Sequence, residues 1–210
     1  MHVEFLLEEE SAEVTLKALL PKLFTPAGAT FRIRPLRGKQ TLLKELPKRL
    51  LGYREMLHTR PDLRVVVLTD RDRDDCIKLK QQLESFAHIA GLPTKTSPSA
   101  TGQFIVLTRI ACEELEAWLL GDQDAIRAAY PRVKPHHFKA AFTHTVDPDA
   151  IRGGTAEALE RVFVAANISE SRKKYDRATR IAPHLDPARN QSASFRCFWQ
   201  GVEALLAQSA

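Results

Sequence analysis

The sequence predicts an α/β fold, a Rossmann-like, mostly parallel sheet flanked by helices with a helical C-terminal elaboration, and three observations carry it. Short apolar runs alternate with helical periodicity through the first 120 residues. The run Val65-Val66-Val67-Leu68 is unbroken and β-branched, as expected of a strand covered on both faces. Beyond Gly121 the strand pattern stops and helical spacing takes over.

The elements follow in order. His2–Leu7 is an apolar strand that stops at Glu8-Glu9-Glu10, and Ser11 with Glu13 then opens a helix ending near Pro21. Residues 30–34 alternate Phe31 and Ile33 with polar residues and read as a second strand. Gly38 leads into a helix carrying Leu42, Leu43, Leu46 and Leu50, which Pro47 is expected to kink or interrupt. After the strand at 65–68, a helix runs from Asp74 to the Gly91-Leu92-Pro93 stop. Residues 104–107 form the next buried strand, and Glu113, Glu114, Glu116 and Trp118 share the helix after it. Helices are expected at 122–130, 155–167, 169–181 and 192–207, with breaks at Pro131, Pro135, Asp147-Pro148-Asp149, Gly153-Gly154 and Asp186-Pro187. This divides the chain into a core at 1–120 and a helical elaboration at 121–210.

With 44% hydrophobic and 27% charged residues, the 210-residue chain can bury a core and is not disordered by composition. Its net charge of +5 suits a polyanionic partner without requiring one. Cys76, Cys112 and Cys197 are odd in number and form no CxxC pair, which argues against a zinc site or a disulfide framework. No apolar run reaches membrane-spanning length and the N-terminus has no signal-peptide pattern, so a cytoplasmic protein is expected.

The chemistry concentrates at two strand ends. In open α/β sheets ligands bind beyond the carboxyl ends of the strands. The first strand delivers Glu8 there, and the third delivers Asp70-Arg71-Asp72-Arg73-Asp74-Asp75. Hard oxygen ligands on such a rim suit Mg²⁺, which keeps several waters and meets phosphate oxygens. Alternation is expected to turn Asp70 and Asp72 into one crevice, where like charges call for a cation. Asp74 and Asp75 fit a helix start instead, since aspartate caps helix N-termini. An EF-hand beginning at Asp70 fails, with Asp75 where glycine is needed and Gln81 where glutamate is needed. An aspartyl-phosphatase DxD belongs on the first strand, not the third.

A first strand ending in glutamate and a later strand ending in DxD resemble the Toprim domain of topoisomerases, bacterial primases and overcoming-lysogenization-defect nucleases. Within that superfamily the chain is similar to the bacterial domain of unknown function 4276 family. The resemblance rests on Val3-Glu4-Phe5-Leu6-Leu7-Glu8-Glu9, Val67-Leu68-Thr69-Asp70-Arg71-Asp72-Arg73-Asp74-Asp75-Cys76 and Glu113-Glu114-Leu115-Glu116-Ala117-Trp118. It continues through Asp147-Pro148-Asp149-Ala150-Ile151, Gly153-Gly154-Thr155 and Ile181-Ala182-Pro183-His184-Leu185-Asp186-Pro187 with Arg189-Asn190. Many Toprim proteins have Glu-Gly at the first strand end, whereas Glu9 stands here in place of the glycine, leaving Glu8 and Glu9 in competition. The resemblance implies Mg²⁺- or Mn²⁺-dependent phosphodiester cleavage with Asp70 and Asp72 on the metal. Glu8 would be a further ligand or general acid/base, and Glu116 would complete a second metal site. The other reading of Glu116 is a helix-surface residue beside buried Trp118, and Glu13 is either an outer ligand or an ordinary first-turn carboxylate.

Lys173, Arg177 and Arg180 fall near one face of a helix that also carries Arg172, and such a stripe can hold a nucleic-acid backbone or simply be solvated. Lys174 matches a family lysine by its spacing to Ile181-Ala182, and the resemblance implies that it stabilises transition-state charge. Arg32, Arg34 and Arg37 either line the crevice or guard a sheet edge. His136, His137 and His144 lack partners at metal-ligand spacing, and Phe195, Phe198 and Trp199 read as core. No P-loop is present; relatives with this domain often work beside a separate ATPase in phage defence or plasmid maintenance, so the resemblance implies such a partner. The expectation is a metal-dependent nuclease, with a non-cleaving nucleic-acid or partner-binding subunit as the competing class and a small-molecule phosphotransfer enzyme as a third.

Overall fold

A computed structural model describes residues 1–169 and 173–209. Four strands, β1 (His2–Leu7), β2 (Thr30–Pro35), β3 (Leu63–Asp70) and β4 (Val106–Ala111), form one all-parallel sheet in the order β2-β1-β3-β4. Helices α1 (Glu10–Leu19) and the short α2 (Pro21–Phe24) connect β1 to β2, α3 (Lys39–Met56) connects β2 to β3, and α4 (Cys76–Ile89) connects β3 to β4. The C-terminal region contributes α5 (Glu116–Leu120), α6 (Gln123–Ala129), α7 (Thr155–Ala165), α8 (Lys174–Ile181) and α9 (Ala193–Leu206). The expected α/β architecture with a helical C-terminal region is therefore present. Among the described residues, no helix is long and apolar enough to cross a membrane.

Alternation along the strands sorts the core into two layers. Val3, Phe5, Leu7, Val66, Leu68 and Leu107 pack with α1 and the C-terminal helices. Leu6, Val65, Val67 and Val106 pack with Leu42, Leu46 and Leu50 of α3 and Leu83 and Ala87 of α4. The helices after residue 120 thus share a continuous core with β1, β3 and β4. Pro47 lies inside α3 without ending it. The last strand begins at Val106, two residues later than its apolar run suggests, and the preceding Ile105 amide is spent on Pro93 O. Glu113 and Glu114 lie before α5, not within it, and Glu113 has a φ of +61°.

Much of the late sequence pattern holds the C-terminal helices on the sheet. Fully buried Trp118 packs edge-on to Phe195 at 5.3 Å and against Phe198 at 5.0 Å, and its Nε1–H donates to Ser194 Oγ at 2.9 Å. Phe195 and Phe198 are core, with Trp199 half-buried against it. Asp149 accepts from Ser194 N at 2.6 Å and Ser192 Oγ at 2.7 Å, fastening the start of α9. Asn190 donates to Trp118 O at 2.8 Å and accepts from Ser192 N at 2.9 Å. Asp122 caps α6 and pairs with Arg189 at 3.0 Å.

Gly121 is the close approach in this seam, since a Cβ there would stand 2.2 Å from Asn190 Oδ1 and 2.9 Å from Ser192 N. Gly52, on exposed α3 surface, meets nothing within 4 Å. Gly121→Ala is therefore expected to destabilise the protein by about 1–3 kcal/mol, while Gly52→Ala stabilises it by about 0.5–1 kcal/mol. Urea denaturation of both variants checks the contrast.

Candidate metal and phosphate site

The strand order sets the position of the site. The connection leaving β1 runs to β2 on one side, and the connection leaving β3 runs to β4 on the other, so a crevice opens between the carboxyl ends of β1 and β3. The register pairs Leu7 with Leu68, which sets Glu8 beside Thr69 and Asp70. Glu8 is buried, and its Oε2 accepts from Thr69 Oγ1 at 2.5 Å and from Asp70 N at 3.1 Å. Burial raises its pKa, partly countered by those two donors and by Lys39. Glu8 and Glu9 differ in their surroundings: Glu9 is half-exposed, accepts from Ser11 Oγ at 3.1 Å and stands at the N-cap position of α1 with a φ of −127°. That extended backbone suits any residue, so no glycine is needed at the strand end.

Asp70 ends β3 and is 8% exposed. Its carboxyl is pushed well above the usual range by desolvation and then by Glu116, Glu8 and Glu9, with Lys174 opposing. Among the described residues nothing donates a hydrogen bond to that carboxylate. Glu116, in the first turn of α5, is 3% exposed, which overturns its helix-surface reading. Desolvation raises its pKa to about 7 against the pull of Lys174. Lys174 opens α8 and bridges this side, reaching Glu114 Oε1 at 2.6 Å and Glu116 Oε2 at 3.7 Å. These carboxylates raise its own pKa despite burial. Glu114 is itself tied to the start of α7, accepting from Ala156 N at 3.1 Å.

Asp72 does not join Asp70 by alternation. It lies beyond the strand in a left-handed conformation (φ +50°), half-exposed, and accepts from Lys39 Nζ at 2.6 Å. Its own amide donates to Glu113 O at 2.7 Å. Lys39 also holds Asp74 Oδ2 at 2.9 Å and Arg71 O at 3.1 Å. Asp75 caps α4 as expected, accepting from Ile77 N and Lys78 N, whereas Asp74 serves Lys39. The carboxylates thus fall into two neighbouring sets, Asp70 and Glu116 with Lys174, and Glu8 and Asp72 with Lys39. Glu13 is held by Lys17 at 2.8 Å along α1.

The basic stripe does not form one surface. Arg177 is buried, ion-paired with Glu160 and stacked 4.8 Å from the centre of Phe163, so it is a core residue. Lys173 and Arg180 are exposed, Arg180 over Tyr130 at 4.6 Å, and Arg172 lies outside the described residues. Arg34 pairs with Glu4 at 2.5 Å, exposed Arg32 lies on edge strand β2, and Arg37 lines the site. A cleft of about 620 Å³ opens here, lined by Glu8, Glu9, Ser11, Arg37, Lys174 and Tyr175 among others. Sequence reasoning passed over Lys39, although a lysine in a first helical turn opposes the helix dipole and signals an acidic partner.

The donor set fits a hard dication in kind: buried carboxylates whose desolvation raises their pKa values, with Asp70 raised further by Glu116 and Glu8 and, among the described residues, without a hydrogen-bond donor. Among the described residues, no three histidine, cysteine, aspartate or glutamate side chains are spaced to hold a metal on their own. Mg²⁺ commonly takes only one or two carboxylates, with water and phosphate oxygens completing its shell.

Burial gives the metal-free protein a signed pH dependence. Between about 4.5 and about 7 the folded state keeps the Glu116 proton and the unfolded chain has lost it, so this group's contribution to stability falls as pH rises through that window. Glu116→Gln is expected to be near neutral at pH 5 and to stabilise the metal-free protein at pH 8 by on the order of 3 kcal/mol. Urea midpoints at the two pH values, in chelator, measure it; a variant destabilised equally at both would refute the assignment.

The site belongs to a chain whose relatives can be stated at the level of the family. No curated protein and no solved structure matches the chain. The family described as Domain of unknown function (DUF4276) matches residues 7–203, a span that takes in Glu8, Asp70, Asp72, Glu116 and Lys174. The chain belongs to this family.

Proposed function

We propose that the protein is a metal-dependent nuclease of the Toprim type that cleaves nucleic-acid phosphodiester bonds with Mg²⁺ or Mn²⁺. The observation that carries the reading is the buried group Glu8, Asp70 and Glu116 at the switch point of a parallel sheet, with Lys174 beside it. A bound cation would polarise the phosphoryl oxygens and lower the pKa of a coordinated water. Asp70 and Glu116 would hold it, with Asp72 joining once released from Lys39. Glu8, fixed through Oε2 by Thr69 and the Asp70 amide, leaves Oε1 to accept the proton of the attacking water. Lys174 stabilises the charge that develops on the phosphoryl group. By the same resemblance the proposal includes a separate ATPase partner, a role in phage defence and a cytoplasmic location.

One observation favours a second reading, a non-cleaving subunit that grips nucleic acid or a partner. Lys39 and Lys174 already engage Asp72, Glu114 and Glu116, so part of the acidic charge is balanced without a metal.

Purified protein incubated with labelled DNA and RNA in Mg²⁺ or Mn²⁺ decides between the two. Cleavage is expected, and Asp70→Ala and Glu8→Ala should each reduce its rate by about 10²-fold or more, while the thermal midpoint holds or rises in Asp70→Ala and falls in Glu8→Ala, which leaves the Thr69 hydroxyl and Asp70 amide without their acceptor. Binding without cutting in either metal would exclude the nuclease; full activity in both variants would exclude this site.

A further inference from the structure

The cleft is lined by both signs of charge, with buried Glu8, half-exposed Glu9 and exposed Glu10 beside Arg37, Lys173, Lys174 and Tyr175. Tyr175 is a large aromatic residue left 49% exposed, in the first turn of α8. Its phenol lies within electrostatic reach of Lys17 on α1, itself well exposed. Arg37 is exposed and makes no side-chain hydrogen bond or ion pair among the described residues. It holds this position, just past the end of β2, at a φ of +56°, a conformation a non-glycine residue seldom adopts unless its surroundings impose it. Lys173 precedes Lys174, the lysine that reaches the carboxylates.

An exposed ring that shares a cleft with exposed cations is an arrangement that binds unpaired nucleic acid. Bases stack on aromatic faces regardless of sequence, and cations track the phosphates on either side. The cleft volume of about 620 Å³ lies within the range of pockets that bury a small ligand. That suits a short length of one strand, and Glu8, Asp70 and Glu116 are each nine-tenths or more covered. We infer that the protein takes its substrate as an unpaired strand, with a base stacked on Tyr175 and the neighbouring phosphates held by Arg37 and Lys173. This rests on the nucleic-acid reading above and narrows it to a substrate class.

Fluorescence anisotropy tests it with a short labelled oligonucleotide, single-stranded or annealed to its complement, with Ca²⁺ in place of Mg²⁺. The single strand is expected to bind at least about 10-fold more tightly than the duplex. Tyr175→Ala should weaken single-strand binding by about 10- to 100-fold and leave duplex binding nearly unchanged, while Tyr175→Phe retains the stacking. Arg37→Ala should lower the salt dependence of single-strand binding by about 0.7 in log–log slope. Duplex binding as tight as single-strand binding, or a Tyr175→Ala variant that matches the parent, overturns the inference. Single-strand preference without cleavage in Mg²⁺ or Mn²⁺ would remove the nuclease and leave this inference standing. Duplex cleavage insensitive to Tyr175→Ala would do the reverse, and no binding to any nucleic acid would remove both.

Discussion

The two bonds that Glu8 Oε2 accepts, from the Thr69 hydroxyl and the Asp70 amide, tie the ends of β1 and β3 together, and the site depends on that tie. It can form only because the strands are parallel neighbours in the register that pairs Leu7 with Leu68. A slip of one residue would turn Asp70 toward the opposite face and bring Val67, Thr69 and Glu8 into the wrong layers. The register is in turn enforced by burial on both faces: every residue of β3 is buried, so each slip would cost an entire hydrophobic layer. The packing of the sheet therefore bears on the candidate site, by fixing where two carboxylates meet.

Holding those carboxylates together has an electrostatic cost, and the fold distributes it. Glu8 is relieved by two donors and Lys39, Asp70 by Lys174 against three acidic neighbours, and Glu116 by Lys174 and a backbone hydrogen bond. Relief is partial, which is why the pKa values stay raised. Backbone strain is concentrated at the same rim. Of the four non-glycine residues with left-handed φ among those described, Arg37, Asp72 and Glu113 follow the ends of β2, β3 and β4 respectively. The Asp72 amide donates to Glu113 O, so two of these strained positions hold each other. Such conformations persist where the surroundings over-determine them, and they gather where side chains must be aimed away from the strand direction.

The fold class was legible because its signals are local: an unbroken β-branched run, alternation at 30–34, and leucines at helical spacing. Glu8 and Asp70 were legible for the same reason, as the first polar residues after buried strands. Asp72 was misplaced because alternation holds only within a strand, and β3 ends at Asp70. Arg177 was misplaced because helical spacing gives a residue's angle but not what packs there; Glu160 and Phe163 of α7 cover it. Glu116 lies in a short helix whose five residues are all buried, so its environment is tertiary and nothing in the local sequence reports it. Lys39 meets its partners 33 and 35 residues away, a distance no local pattern spans.

The helical C-terminal region is therefore part of the site and not a cover laid over it. Glu116 is aimed by α5, and α5 is held by Trp118, whose indole and carbonyl are bonded to Ser194 and Asn190. Ser194 and Ser192 are in turn fixed by Asp149, and Glu114 by the start of α7. Lys174 arrives on α8, which packs on α1, the helix that leaves Glu8 and Glu9. A change at Asp149 or Asn190 thus touches no carboxylate of the site, yet loosens the helix that carries one of them. The late motifs that accompany Glu8 and Asp70 in this sequence have a structural reason to be there: they position Glu116 and Lys174, which the sheet itself does not supply.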